Sequence, residues 1–234
     1  MVICLETATN LCSVALCDSA GVISLKESSE QKSHASLVTV FIEEILKENG
    51  IRARHLEAIA VSKGPGSYTG LRIGVSVAKG VAYAASIPLI GIDTPLSMFW
   101  GLLQNYNYNP GNEENILFCP MLDARRMEIY YAIYDARGET IKAISAEIIG
   151  EYSFRNIPEL QRIIFFGDGA AKCKDVITRE NISFADEFRL SASYMQKPVF
   201  QAIKNKHFED IAYFEPFYLK DFITSTPKKN ILGV

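Results

Sequence analysis

Two blocks of this chain carry the same unusual spacing. Glu6 precedes Asp18 by twelve residues and Asp123 precedes Asp135 by twelve, and each second Asp is followed three positions on by glycine, Gly21 and Gly138. In the first block MVICLE and CSVALCD flank the acidic turn; in the second ILFCPML and EIYYAIYD do so. Short apolar runs that end in turn-forming residues read as strands, and an Asp-x-x-Gly step between two such runs reads as a hairpin. Each block is therefore expected to run strand, acidic turn, strand, hairpin, strand. Spacing alone is also compatible with two unrelated hairpins.

The elements that follow each block narrow that choice. Residues 33–49 form an expected helix, with Leu37, Val38, Phe41, Ile42, Ile45 and Leu46 at helical spacing, Ser33 as cap and Asn49-Gly50 as stop. LEAIAVS is a strand, GPGSYT a tight loop, residues 69–85 a second helix and PLIGID a strand. Thr94-Pro95 then places a capping oxygen and a first-turn proline at the head of a third helix. The unpatterned stretch 105–115 marks a boundary between lobes 1–106 and 107–234. After the second block come a strand at 162–167, a glycine turn, a helix at 170–180, a strand in ISFADEF and a helical stretch 191–206 that Pro198 kinks or splits. Three strands, then helix, strand, helix, strand, helix, occurring twice, is the order of an α/β fold duplicated into two lobes around a cleft, the actin, Hsp70 and sugar-kinase architecture.

The densest glycine cluster, SKGPGSYTGLRIG, admits three uses. A dinucleotide fingerprint needs G-x-G-x-x-G, but Gly64, Gly66 and Gly70 are one residue too widely spaced, although Asp93 imitates the ribose-binding acid. A Walker loop requires Gly-Lys-Ser/Thr, which does not follow. The remaining use is a tight turn with close backbone approach. On the helix after it, Arg72, Ser76, Lys79 and Tyr83 share one narrow stripe. The rest is apolar or small, an arc wider than a helix lying on one sheet requires. Gly70, Gly74, Ala78 and Ala82 form a column that another helix could approach, in this chain or in a partner.

Catalytic patterns are sparse. His34 has Val38 one turn on, His55 and His207 lack ligand-like neighbours, and the cysteines make no C-x-x-C, so no metal site is expected. Ser67 lacks the last glycine of a G-x-S-x-G elbow. In kinase-like folds glycine-rich hairpins hold phosphate, yet ETATNLCS and DARRMEIY contain no glycine. Glu6, Thr7, Asp123 and Arg125, with Gly167 and Gly169 of the GDGA turn, outline only a degenerate nucleotide cleft. Magnesium binding by Glu6 and Asp123 is weighed there against plain turn capping. No cofactor is expected.

Composition bounds the rest. A formal net charge of -3 over 234 residues gives no basic footprint, so any nucleic-acid role is indirect. Five cysteines, odd in number and set in apolar runs, behind a start without a signal peptide, read as reduced thiols in cytoplasm. No apolar run suits a membrane helix.

CLETATNLCSVAL, SKGPGSYTGLRIGVSVAKGVAYAASIPLIGIDT, MLDARRMEIYYAIYD and PFYLK together resemble the bacterial TsaB (YeaZ) family. Glu6 departs from the aspartate usual at that position. The resemblance implies a non-catalytic subunit of the machinery that adds threonylcarbamoyl to adenosine 37 of tRNAs reading codons that start with A. It implies pairing with the catalytic paralogue TsaD, the ATPase TsaE as a further partner, TsaC as supplier of the adenylate, and a homodimer when alone. Helices 33–49 and 69–85, through Leu37, Val40, Phe41, Gly70, Ile73, Gly74 and Val77, are the implied interface. The paralogue's pair of helix histidines meets His34 and Val38 here, so one ligand is missing. The alternatives are an independent ATP-dependent kinase-like enzyme and a glycoprotease-like hydrolase.

Overall fold

The duplication is written in the strand order. In the computed structural model, which describes residues 1–30, 34–105 and 116–219, ten strands form two five-stranded sheets. The first holds β1 (Val2–Glu6), β2 (Cys12–Cys17), β3 (Val22–Ser28), β4 (Ala58–Gly64) and β5 (Leu89–Asp93) in the order β3-β2-β1-β4-β5. The second holds β6 (Ile116–Asp123), β7 (Glu128–Tyr134), β8 (Thr140–Ile148), β9 (Arg162–Phe166) and β10 (Ile182–Ala185) in the order β10-β9-β6-β7-β8. Read from its first strand, each sheet repeats the other: two antiparallel neighbours on one side, two parallel neighbours on the other. Glu6 and Asp123 are equivalent, each the last residue of its sheet's central strand.

The repeated Asp-x-x-Gly step has a physical cause. Asp18 Oδ1 accepts from the amides of Ala20 and Gly21 at 2.8 and 2.9 Å, and Asp135 Oδ1 accepts from those of Arg137 and Glu139 at 2.9 and 2.8 Å. One carboxylate thus satisfies two turn amides that would otherwise lack a partner.

Helices α1 (His34–Glu48) and α2 (Tyr68–Ala85) cover one face of the first sheet, where Val38, Ile42 and Ile45 meet Val75, Ala78 and Ala82 over Leu5, Val14 and Val61. β1 is buried on both faces, as a central strand between two layers must be. Helix α3 (Thr94–Asn105) carries Phe99 into a cluster shared by both sheets, edge-on to Phe118 at 5.4 Å, with Ala8 and Leu71 from one half and Leu122 and Phe166 from the other. No helix among the described residues is long and apolar enough to cross a membrane, and all five cysteines are buried, unpaired thiols.

The second half carries fewer helices than its sequence suggests. Residues 170–180, expected as a helix, contain only a 3₁₀ turn at Ala171–Cys173. The β-branched run Val176-Ile177-Thr178 favours helix poorly, and the Arg179 guanidinium instead bonds the carbonyls of Phe154 and Ile157 at 2.6 and 2.8 Å. Pro198 does not kink its helix. It sits in the first turn of α4 (Gln196–Asn205), where an amide would be orphaned anyway, behind a 3₁₀ turn at Ala192–Met195. That turn and α4 pack on the other face of the first sheet, against Val2, Cys4 and Ile90. Residues 209–218 then strap across the same half: Glu209 N donates to Leu89 O at 2.8 Å, Phe217 N to Lys63 O at 2.7 Å, and Lys79 Nζ to Phe214 O at 2.9 Å. The Ser33 cap, the His34 side chain and the 106–115 stretch lie outside the described residues.

Candidate functional site

The glycine-rich loop and the head of α2 close onto the first acidic turn. Ser67 caps α2, accepting from Gly70 N at 3.3 Å, while its own amide donates to Ala8 O at 2.6 Å. A Cβ at Gly66 would lie 2.5 Å from Ala8 O, at Gly70 2.0 Å from Thr7 O, and at Gly74 2.3 Å from Thr7 Oγ1. The bare backbone therefore admits the chain's own hairpin turn. This corrects the expectation that Gly70 and Gly74 face an approaching helix; both are buried against Thr7 and, for Gly74, Val61.

Inside that closure Glu6 and Thr7 are wholly buried. Glu6 Oε1 accepts from Ala8 N at 2.7 Å, while among the described residues Glu6 Oε2 and Thr7 Oγ1 have no hydrogen-bond partner. Nearby Ser62 and Thr94 share a hydrogen bond of 2.7 Å. Burial pushes the Glu6 carboxyl up to about 7, against the opposing pull of the Ala8 amide and the Ser62 hydroxyl. A carboxyl so enclosed and half-protonated near neutrality is a poor magnesium ligand, since a hard cation demands ionised, accessible oxygens.

The equivalent turn of the second half is occupied differently. Asp123 Oδ1 accepts from Arg125 N at 2.8 Å and from Lys172 Nζ at 2.5 Å. Lys172 also donates to the carbonyls of Arg126 and Glu128, so the ammonium closes the turn. Burial works against the Asp123 carboxylate, yet Lys172 and the Arg125 amide outweigh it and hold the carboxyl below its ordinary range. Arg125 and Arg126 both adopt left-handed backbone, φ 69° and 51°. In the GDGA turn Asp168 Oδ1 accepts from Asp123 N at 3.0 Å. The two glycines lie against β6: a Cβ on Gly167 would meet Met121 O at 2.3 Å, and one on Gly169 the Leu122 carbonyl carbon at 2.7 Å. Both acidic turns are thus capped by their own carboxylates. Lys172, the counter-ion of Asp123, was missed from sequence because it lies 49 residues away in a segment read as helix. Among the described residues no group of three or more His, Cys, Asp or Glu is placed to hold a metal ion.

The remaining helix surface is apolar but accessible. Val40 is 42% exposed, and Leu37, Phe41, Ile73 and Val77 are half-buried along the outer side of the α1–α2 pair. A groove of about 480 Å³ runs between these helices beside Ala35, Tyr68, Arg72, Ile73 and Val77. Arg72 stacks on Tyr68, 4.2 Å from the ring centroid, and its Nε donates to Tyr218 Oη at 3.0 Å, which fixes one wall.

Fold and geometry together define a duplicated two-lobe protein of the actin, Hsp70 and sugar-kinase type. Among solved structures, YeaZ from Pseudomonas aeruginosa superposes with a TM-score of 0.77 at 21% identity, covering 93% of this chain and 99% of that one. A polyphosphate/ATP-glucomannokinase from Arthrobacter shares the fold more distantly, with a TM-score of 0.51 at 11% identity over 88% of this chain and 99% of the other. In sequence, residues 22–228 match the family described as TsaD: tRNA N6-adenosine threonylcarbamoyltransferase, and the chain belongs to that family. The TsaB protein of Haemophilus influenzae, described as a tRNA threonylcarbamoyladenosine biosynthesis protein, is 27% identical over 94% of this chain and 93% of its own length.

Proposed function

We propose that this chain acts in threonylcarbamoyladenosine formation on tRNA as a subunit without chemistry of its own, holding a catalytic TsaD-type paralogue in its active conformation. The observation that carries this reading is the commitment of both cleft carboxylates: Glu6 is buried in a capping role and Asp123 is tied to Lys172. A kinase of this fold would need those oxygens free and ionised for the metal ion that accompanies the phosphates. The face offered to the paralogue is Leu37, Val40 and Phe41 of α1 with Ile73 and Val77 of α2; the same face serves a homodimer when the chain is alone. TsaE joins the assembly, and tRNA contacts are made mainly by partners, in keeping with the net charge of -3. The lobes divide at 106/107, with the 3₁₀ turn and α4 of the second lobe returning to the first sheet. Preferential binding of one conformation of the partner is sufficient for activation.

Val40→Glu tests the face. Val40 lies outside the apolar core cluster, so thermal stability should be unchanged. Burying an unpaired carboxylate at the interface should nevertheless weaken association with TsaD by roughly tenfold or more. Size-exclusion chromatography of the mixed proteins reads this directly. Undiminished co-elution would place the contact elsewhere, and tight Mg-ATP binding by the isolated chain in calorimetry would favour the kinase-like reading.

A further inference from the structure

The strap of residues 209–218 delivers the chain to the head of α2. Phe217 N is held by Lys63 O, and the next ring, Tyr218, lies 5.0 Å from that of Tyr68, its hydroxyl accepting from Arg72 Nε at 3.0 Å. Arg72 stacks in turn on Tyr68 at 4.2 Å. These three side chains form one pile, and two of them, Tyr68 and Arg72, also line the groove between α1 and α2. The strap therefore hands the chain over at the rim of that groove, and residues 220–234 follow from there.

The groove has the dimensions of a short peptide. Its volume is about 480 Å³, within the range of about 300–1,000 Å³ that encloses a small ligand, and α2 rises about 14 Å from Tyr68 to Val77. The half-buried Ile73 and Val77 lie one turn apart along it, with the exposed Ser76 beside them. The sequence that leaves the strap reads KDFITST. At about 3.3 Å per extended residue, Phe222 is about 13 Å along the chain from Tyr218. Phe222 and Ile223 can therefore reach Ile73 and Val77 without passing beyond the groove, after the polar spacer Lys220-Asp221. Tethering favours this occupant over a separate molecule. A segment attached so close to its site has an effective concentration in the mM range, so a contact too weak to hold a free peptide is still filled from within the chain.

We propose that Phe222 and Ile223 dock in the α1–α2 groove of their own chain, against Ile73 and Val77, and that this tail and the catalytic paralogue exclude one another there. The docking stands on the groove and the chain's exit alone; the exclusion rests on the α1–α2 face assigned above.

Benzoylphenylalanine placed at Ser76 of the full chain, and irradiated at a dilution where the chain is monomeric, tests the docking. The principal crosslink, mapped by mass spectrometry, is expected to join position 76 to residues 220–234 within one chain, and Phe222→Asp/Ile223→Asp should reduce it about tenfold or more. The same full-length double variant, with Ser76 restored, should bind TsaD roughly threefold or more tightly than the parent in calorimetry, because the groove is no longer occupied. A thermal melt confirms that each variant is folded. The docking is overturned by the absence of a crosslink from position 76 to 220–234, by its persistence in the double variant, or by crosslinks that run mainly between copies. The expected crosslink with TsaD affinity unaltered in the double variant overturns the exclusion. Val40→Glu then separates the causes: undiminished co-elution moves the paralogue's face elsewhere, whereas lost co-elution keeps the face and removes only the tail's competition for it.

Discussion

Gly70→Ala should lower the Tm of this protein by roughly 6–12 °C, whereas Gly80→Ala, ten residues on in the same helix, should raise it by about 1–4 °C. The new methyl at position 70 would lie 2.0 Å from the Thr7 carbonyl oxygen and 3.3 Å from Ser67 Cβ. The first neighbour is backbone, so the contact is relieved only by displacing α2 or the hairpin turn. Overpacking of this kind costs about 1–3 kcal/mol, and a backbone neighbour puts it near the top of that range. At position 80 a Cβ meets nothing within 4 Å, leaving the ordinary gain of about 0.5–1 kcal/mol for replacing a mid-helix glycine. Circular-dichroism melts of the two variants give the comparison. A Gly70→Ala protein as stable as its parent would mean that α2 does not clamp the first turn.

The second large effect is a pH dependence that Glu6→Gln removes. The carboxyl rises from an ordinary 4.5 to about 7 in the folded chain. Between those values the native state holds a proton that the unfolded state has released. The stability contributed by the neutral carboxyl is therefore fully present below about pH 4.5 and is lost as pH climbs through about 7. The interval corresponds to about 3 kcal/mol at 1.36 kcal/mol per pH unit. Glutamine keeps an acceptor for the Ala8 amide and does not titrate. The parent, compared with Glu6→Gln, should lose about 3 kcal/mol of relative stability between pH 4.5 and pH 8, as measured by denaturant unfolding at several pH values. Parallel stability profiles would show that Glu6 is solvated and ionised.

Much of this architecture was legible in the sequence because its causes are local. The Asp18 and Asp135 turns announce themselves through an acceptor two to four residues from the amides it serves, and α1 and α2 through their apolar spacing. The glycine column of α2 was legible as a close-approach surface, but not what approaches it. Glycine spacing records that something comes near, while Thr7 and Ala8 lie some sixty residues earlier in the chain. The pairing of Asp123 with Lys172 was hidden for the same reason, and more deeply, because residues 170–180 carry helix-like composition yet spend their hydrogen bonds on a 3₁₀ turn and on Arg179.

The account turns on the absence of chemistry in this chain's own cleft. The direct measurement is threonylcarbamoyladenosine formation reconstituted with TsaD, TsaE and TsaC around the Glu6→Gln/Asp123→Asn double variant. The predicted rate is within about twofold of the parent, a transition-state difference of less than about 0.5 kcal/mol. A double variant that folds, co-elutes with TsaD and yet loses the reaction by orders of magnitude would show that these carboxylates take part in catalysis, contradicting the account.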